Sequence, residues 1–287
     1  MEQLQHSTDD LEHYRPRLFG VAYRMLGDAA EAEDIVQEAY LRWQQADRTD
    51  VRAPEGWLVA VVTRLAIDRL RRLETERRAY AGPWLPEPIA TERVADNEEL
   101  ASDLSLALLV LLERLGAEER AAFLLREVFE ADYDEIARVL EASVPAVRQM
   151  VHRARERVRG GRSRFAAPPD ARERLLGRFL AALEAEDRDA LLAVFAPDAT
   201  FTSDGGGRVP AARNVLRGPD RITRFLLGIQ RKYRLPITHE VRSLNGEPAI
   251  ASYAFGHLYC VTAIDMDGDR ISAVYRVLNP EKLRYVE

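Results

Sequence analysis

The sequence predicts a multidomain protein in which two all-α modules precede a separate α+β domain. Three observations carry that reading. Up to about residue 163 the apolar residues recur at helical spacing, whereas beyond residue 236 they alternate in four runs parted by "NG" and "DGD" turns. Between the two helical modules lies "YAGPWLPEPIAT", residues 80–91, in which Pro83, Pro86 and Pro88 disfavour helix. At 287 residues, 47% of them apolar, the chain is long enough for roughly two domains with buried cores.

In the first module "RPRLFGVAYRML" and "DAAEAEDIVQEAYLRW" read as helices. The second of these puts Ile35, Val36, Ala39, Tyr40 and Trp43 on or near one face, with Asp28 as its expected N-cap. After the loop "ADRTDVRAP", the third helix is "PEGWLVAVVTRLAIDRLRRLETERR", with Pro54 in its first turn. Its expected packing stripe is Trp57, Leu58, Val61, Leu65 and Leu73, and the module closes near Arg78. The second module contains "DYDEIARVL", the short turn "EAS" and "VPAVRQMVHRARERVR", a helix-turn-helix pattern. Ser143 is placed to cap its last helix, Pro145 falls in the first turn, and Gly160 and Gly161 stop it. Val147, Val151, Ala154 and Val158 recur as one buried face.

After "RSRFAAPPDARE" the character changes. "RERLLGRFLAALEAED", "RDALLAVF" and "PDRITRFLLGIQRKY" are helical, while "ITHEVRSL", "AIASYAFG", "HLYCVTAIDM" and "RISAVYRVL" alternate as strands of an expected antiparallel sheet. No internal repeat is present.

The net charge of −6 is not that of a nucleic-acid binder, but its distribution matters more than its sum. Residues 148–164 carry seven arginines against the single Glu156, and residues 64–78 carry six against three acids. In a helix-turn-helix the second helix presents polar donors to the major groove, opposite its buried face. Arg148, Gln149, His152 and Arg153 form such a face, and Arg155, Arg157 and Arg159 extend the charge toward phosphates. The same pattern also fits a solvated arginine-rich helix in an ordinary bundle. The lone Cys260, set among apolar neighbours, excludes an internal disulfide and a multi-cysteine metal site and reads as a buried structural thiol. No apolar run approaches bilayer length and the first residues lack a signal-peptide pattern, so the expectation is a cytoplasmic protein without membrane attachment, cofactor or metal.

"DIVQEAYLRWQQ", "WLVAVVTRLAIDRLRR" and "LGAEERAAFLLREVFEADYDEIARVLEASVPAVRQMVHRARERV" resemble regions 2 and 4 of the extracytoplasmic-function sigma factors of bacterial RNA polymerase, in order and separation, over about residues 11–160. The resemblance implies core RNA polymerase and promoter DNA as partners. It puts Asp34, Gln37, Glu38, Leu41 and Arg42 on the helix that docks the polymerase. Arg64, Asp68 and Arg71, with the loop 47–54, fall where the family engages the −10 element. Arg148, Gln149, His152 and Arg153 align with positions that read the −35 element. The C-terminal domain resembles the SnoaL-like group of the cone-shaped α+β fold. "WLPEP", "DGGGR" and "NPEKL" resemble signature motifs of the sigma-factor group that carries this domain as a fused extension; Arg208 and Glu281 depart from the usual residues but keep the charges.

The resulting division is region 2 at 11–80, a linker with the "WLPEP" motif at 81–100, region 4 at 101–163, a linker at 164–169 and a SnoaL-like regulatory domain at 170–287. An intramolecular contact is expected between the last domain and region 2 with its linker. Its residues are Trp84, Leu85 and Pro86 on one side, and Asp204, Gly205, Gly206, Gly207, Arg208, Asn279, Pro280 and Lys282 on the other. The triple glycine also fits a plain turn. A cone-shaped fold offers a pocket for an unidentified small ligand, and some relatives are isomerases or cyclases. Asp198, Asp204, His239, His257 and Asp265 are the acid/base candidates, yet none forms a pair in sequence, and no catalytic residue is assigned. Two other functions remain: a one-component helix-turn-helix regulator that senses a ligand without polymerase, and an enzymatic C-terminal domain.

Overall fold

A computed structural model of the protein describes residues 12–47, 51, 53–91, 104–159 and 169–286. Half of the loop 47–54, the acidic end of the first linker, the glycine stop at 160–161 and most of the second linker lie outside the described residues. The chain forms two compact units. The described residues of the first are 12–47, 51, 53–78, 104 and 109–159; those of the second are 79–91, 105–108 and 169–286.

The first unit begins with α1 (Arg15–Leu26), α2 (Ala29–Gln45) and α3 (Pro54–Arg77). α1 is central: from Gly20 to Leu26 every residue is buried, so the helix is covered on all sides rather than along one stripe. It stops at Gly27, whose φ of 66° gives the left-handed C-cap that a glycine adopts without strain. Asp28 then starts α2 by accepting the Glu31 amide at 3.0 Å. The stripe of α3 is turned from the expected one. Leu58, Val62, Ala66, Leu70 and Leu73 are buried, whereas Trp57, Val61 and Leu65 are only partly covered. The i, i+4 ladder through the small Ala66 decides the face, and Trp57 packs edge-on to Trp43 with ring centroids 5.2 Å apart.

α4 (Leu106–Leu112), α5 (Ala117–Glu127), α6 (Tyr133–Val139) and α7 (Val144–Arg159) follow. Leu140 ends α6, Glu141 turns through φ 52°, and the Ser143 hydroxyl accepts the Ala146 amide at 3.4 Å, so the three-residue turn and cap stand as expected. Val147, Val151, Ala154 and Val158 are buried. The two helical modules pack together within this unit, α3 and α1 meeting α5 and α3 meeting α6. A buried arginine joins them: Arg120, 1% exposed, donates to the Met25 carbonyl at 2.6 Å and to Glu113 at 2.9 Å.

The second unit carries α8 (Pro169–Glu184), α9 (Arg188–Val194), β1 (Phe195–Asp204), β2 (Leu216–Arg217), α10 (Pro219–Tyr233), β3 (Ile237–Leu244), β4 (Glu247–Ala254), β5 (His257–Asp267), β6 (Arg270–Val277) and a 3-10 turn, Pro280–Lys282. The sheet order is β2-β1-β6-β5-β4-β3. β3 to β6 form the expected antiparallel meander, but the sheet is not wholly antiparallel: β1 lies parallel to β6, Ser203 opposite Arg276 and Asp204 opposite Val277. A parallel pair needs a crossover connection, which α10 and the meander supply. β1 was obscured in sequence by Pro197, where its register with β6 shifts. Leu176, Phe179, Leu191, Phe201, Ile222 and Val274 are central to a core between the helices and one sheet face.

Candidate functional site

The segment 80–91 belongs to the second unit, and it is extended rather than helical. Its prolines fix φ and lack backbone N–H donors, which disfavours helix there. Leu85, Ile89 and Ala90 are at most 3% exposed, and Pro86, Glu87 and Pro88 are buried with them. One end is stitched to the β3–β4 hairpin: Ile89 and Asn245 exchange bonds of 3.1 and 2.9 Å, and Ala90 bridges to Leu244.

The other end converges on Asp204, which is fully buried at the end of β1. Its carboxylate accepts the Tyr80 hydroxyl at 2.7 Å, the Leu85 amide at 2.9 Å, the Lys282 ammonium at 2.7 Å and the Gly206 amide at 3.0 Å. Four donors, one of them the counter-ion, are what a carboxylate removed from water requires. Lys282 also donates to the Leu85 carbonyl at 2.5 Å and sits 3.9 Å from the Trp84 ring centroid, a cation–π contact in a desolvated place. Asn279 donates to the Tyr80 hydroxyl at 3.0 Å and caps the 3-10 turn by accepting the Glu281 amide at 3.1 Å. Burial, then the bond to Asp204, raises the Tyr80 phenol above its usual range, so it stays protonated and donates.

The three glycines fit this place for steric reasons. A Cβ on Gly205 would lie 2.1 Å from the Val209 carbonyl oxygen, and one on Gly206 would lie 2.4 Å from Asn279 Nδ2. Gly206 and Gly207 also have φ of 60° and 71°. Arg208 pairs with Glu281 at 2.8 Å on the surface, and Pro280 opens the 3-10 turn.

In the first unit the basic face of α7 is exposed at Arg148, Gln149, His152 and Arg153. Arg148 lies 5.3 Å from the Tyr133 ring centroid, and Arg153 pairs with Glu119 at 3.0 Å. Arg157 also reaches Glu119, and Arg155 pairs with Glu127 at 2.6 Å. Arg64 and Arg71 are engaged differently. Arg64 donates to the Val139 and Arg138 carbonyls at 2.9 and 3.0 Å, at the negative end of the α6 dipole. Arg71 pairs with Asp68 at 3.2 Å and with Glu118, a bond that raises the guanidinium further. Two of the three −10 candidates, Arg64 and Arg71, therefore face the second helical module, and Asp68 is tied to it only through Arg71. On α2, Asp34, Gln37, Leu41 and Arg42 are exposed and Glu38 half-buried, with Arg42 to Glu38 at 2.9 Å; Leu41 is 52% exposed.

The acid/base candidates are scattered. Asp198 and His257 are exposed, Asp204 is consumed by its partners, and Asp265 accepts the Met266 amide at 2.9 Å. Only His239 lines the cavity of the second unit, bonded to Ser252 at 2.9 Å, with burial lowering its pKa. Among the described residues no His, Cys, Asp and Glu group is arranged to hold a metal, and no helix is long and apolar enough to cross a membrane. Cys260 is buried and free. Tyr80, Asn245 and Thr91, which complete the seating of the extended segment, were not singled out in sequence; the position of Tyr80 four residues before Trp84 was the available signal.

Family models match three stretches: Sigma-70 region 2 at residues 11–76, Sigma-70 region 4 at 105–158 and a SnoaL-like domain at 176–279. The chain is 37% identical over 290 residues to ECF RNA polymerase sigma factor SigJ of Mycobacterium tuberculosis, covering 96% of this chain and 92% of the relative. A probable ECF RNA polymerase sigma factor SigI from the same organism is 32% identical over 277 residues, covering 94% and 92%. The crystal structure of the SigJ protein superposes with a TM-score of 0.77 at 34% identity, covering 96% of this chain and 98% of that one.

Proposed function

The chain belongs to the extracytoplasmic-function sigma factors of bacterial RNA polymerase, and from that premise we propose that its C-terminal unit governs the sigma modules by holding the segment that joins them. As a sigma factor it binds core polymerase in the cytoplasm and directs initiation at promoters. A polymerase-independent regulator, the competing reading of the helix-turn-helix, is not favoured, because relatives with the same layout are sigma factors.

Within that activity we assign the exposed face of α2, with Asp34, Gln37, Glu38, Leu41 and Arg42, to the polymerase, where an apolar and polar mixture suits a protein interface. Arg148, Gln149, His152 and Arg153 are assigned to the −35 element, whose base edges need donors from the first turns of an exposed helix. Arg64, Asp68 and Arg71 are assigned to the −10 element; the two arginines meet DNA only after parting from the α5–α6 side they face. The C-terminal unit acts as a regulator and not as a catalyst.

The observation that carries the regulatory reading is the Asp204 cluster. The Asp204 carboxylate, the Lys282 ammonium and the Asn279 amide bind both the backbone and the Tyr80 side chain of the inter-module segment, from positions 119 to 199 residues away along the chain. A segment held in this way cannot freely set the distance between two DNA-reading modules, and tethering makes the hold effectively intramolecular. Run-off transcription with purified core polymerase and a cognate promoter tests the sigma-factor activity. Hydrogen exchange of the Leu85, Ile89 and Ala90 amides in the full chain, free and in the holoenzyme on the promoter, tests the hold. Strong protection in the free protein that weakens in the promoter complex is expected; equal protection in both would overturn regulation through this segment.

A further inference from the structure

The second unit contains a cavity of about 220 Å³ that the Asp204 cluster does not use. Phe201 and Phe225 stand 5.5 Å apart along its wall with Leu226 and Ile229 beside them, so most of the lining is apolar. Polar groups break that lining, among them Glu184, Arg234, His239 and Ser252, and two of them are left incomplete. Arg276 donates Nε to Thr262 Oγ1 at 3.0 Å and lies 5.7 Å from the Phe201 ring centroid, and it has no carboxylate partner among the described residues. The Gln230 amide oxygen is buried with no hydrogen-bond partner among the described residues. A guanidinium lacking an acid and an amide oxygen lacking a donor are unfinished interactions, each costly to bury unless something completes it.

We infer that this cavity binds a small carboxylic acid with an apolar or aromatic body, its carboxylate on Arg276 and its body between Phe201, Phe225, Leu226 and Ile229. A carboxylate matches the planar fork that Nε leaves free at the two terminal nitrogens. A hydroxyl on the ligand's body, away from its carboxylate, would satisfy Gln230. Inorganic phosphate or sulfate fits poorly, since the apolar wall offers such an anion nothing. Of the other ionisable lining groups, Arg234 is matched in charge by Glu184 and burial favours the neutral form of His239, so Arg276 leaves one net positive charge, which suits a monoanion rather than a dianion. The bulge between Ser252 and Tyr253, beside the cavity, is the kind of irregularity that re-aims side chains at a site.

The place also reaches the held segment. Ser203 lines the cavity and its neighbour Asp204 binds Tyr80 and Leu85; Leu278 lines it and its neighbour Asn279 binds Tyr80. Successive residues of a strand face opposite sides, as Ser203 and Asp204 do at the end of β1, and Leu278 and Asn279 follow directly on β6, so ligand and segment would share the same two chain stretches. Ligand binding itself does not depend on the regulatory reading, because its measurement involves neither polymerase nor promoter.

The experiment is isothermal titration of the full chain with phenylacetate and octanoate, and with phenylacetamide as the neutral match. The acids are expected to bind, with the amide weaker by about tenfold or more, and Arg276→Gln is expected to remove that preference while Arg276→Lys keeps part of it. Absence of binding by both acids up to about 1 mM, or equal binding of acid and amide, overturns the proposal. Should Arg276→Gln fail to fold, the acid-to-amide comparison on the unaltered chain still decides.

Discussion

Asp204 and Lys282 are buried at 0% and 7% exposure, and neither keeps enough water to replace the other. Removing one partner of such a pair is costly because the remaining charge stays desolvated. Lys282→Met should therefore lower the stability of the C-terminal unit by about 3–5 kcal/mol, read from the shift of its urea transition. His239 makes a separate contribution that depends on pH. Burial, opposed by Glu184 and reinforced by Arg276, lowers its folded-state pKa below the ordinary 6.5, so on acidification the unfolded chain takes up the proton first. The stability it contributes is complete above 6.5 and declines as pH falls from there toward the depressed value. His239→Gln should flatten that part of the melting-temperature profile. At this scale the sequence was legible where partners are local: Asp28 and Ser143 cap helices three residues away, as spacing alone implies. Tyr80 was not, because its partners Asp204 and Asn279 lie 124 and 199 residues along the chain.

The elements were read well where periodicity is strong and less well where a small residue or a proline intervenes. α10 and β3 have the bounds their alternation implies, and the buried face of α7 is the expected one. On α3, apolar residues occupy several faces, and sequence could not show that the ladder runs through Ala66 rather than Val61 and Leu65. The parallel pairing of β1 with β6 depends on a chain crossover that no local pattern records. The glycine loop belongs to this scale too, since its conformation lets the segment lie close. Gly206→Ala should cost about 1–3 kcal/mol, from a positive φ and a methyl driven toward Asn279. Gly228→Ala, in a helix with nothing within 4 Å of the added methyl, should be neutral or stabilising by about 0.5–1 kcal/mol. Thermal denaturation of the two variants side by side checks the contrast.

Across the whole chain, the arrangement is that of a sigma factor whose proposed DNA-reading faces are not equally available. The face of α7 is open, while Arg64 and Arg71 are paired with the second helical module inside the first unit. Those pairs are partly exposed, so each is worth little singly, about 0.2–1 kcal/mol. Glu118→Ala should accordingly raise promoter affinity of the holoenzyme by no more than about fivefold, most visibly at low salt, in a filter-binding titration. The order of modules was legible from motif spacing, and "WLPEP", "DGGGR" and "NPEKL" marked the segment and the two loops that meet it; the helix pairing inside the first unit was not, since it depends on carbonyls such as Val139 O that carry no sequence signature. The central claim is that the hold of Asp204 and Lys282 on residues 80–85 governs initiation. It is tested most directly by run-off transcription from a cognate promoter with saturating full-length protein, unaltered or carrying Lys282→Met, below the temperature at which either unfolds. A change in output of about fivefold or more, upward if the hold restrains the modules and downward if it presents them, is the predicted result; equal output from the two proteins, with equal binding to core polymerase, would contradict it.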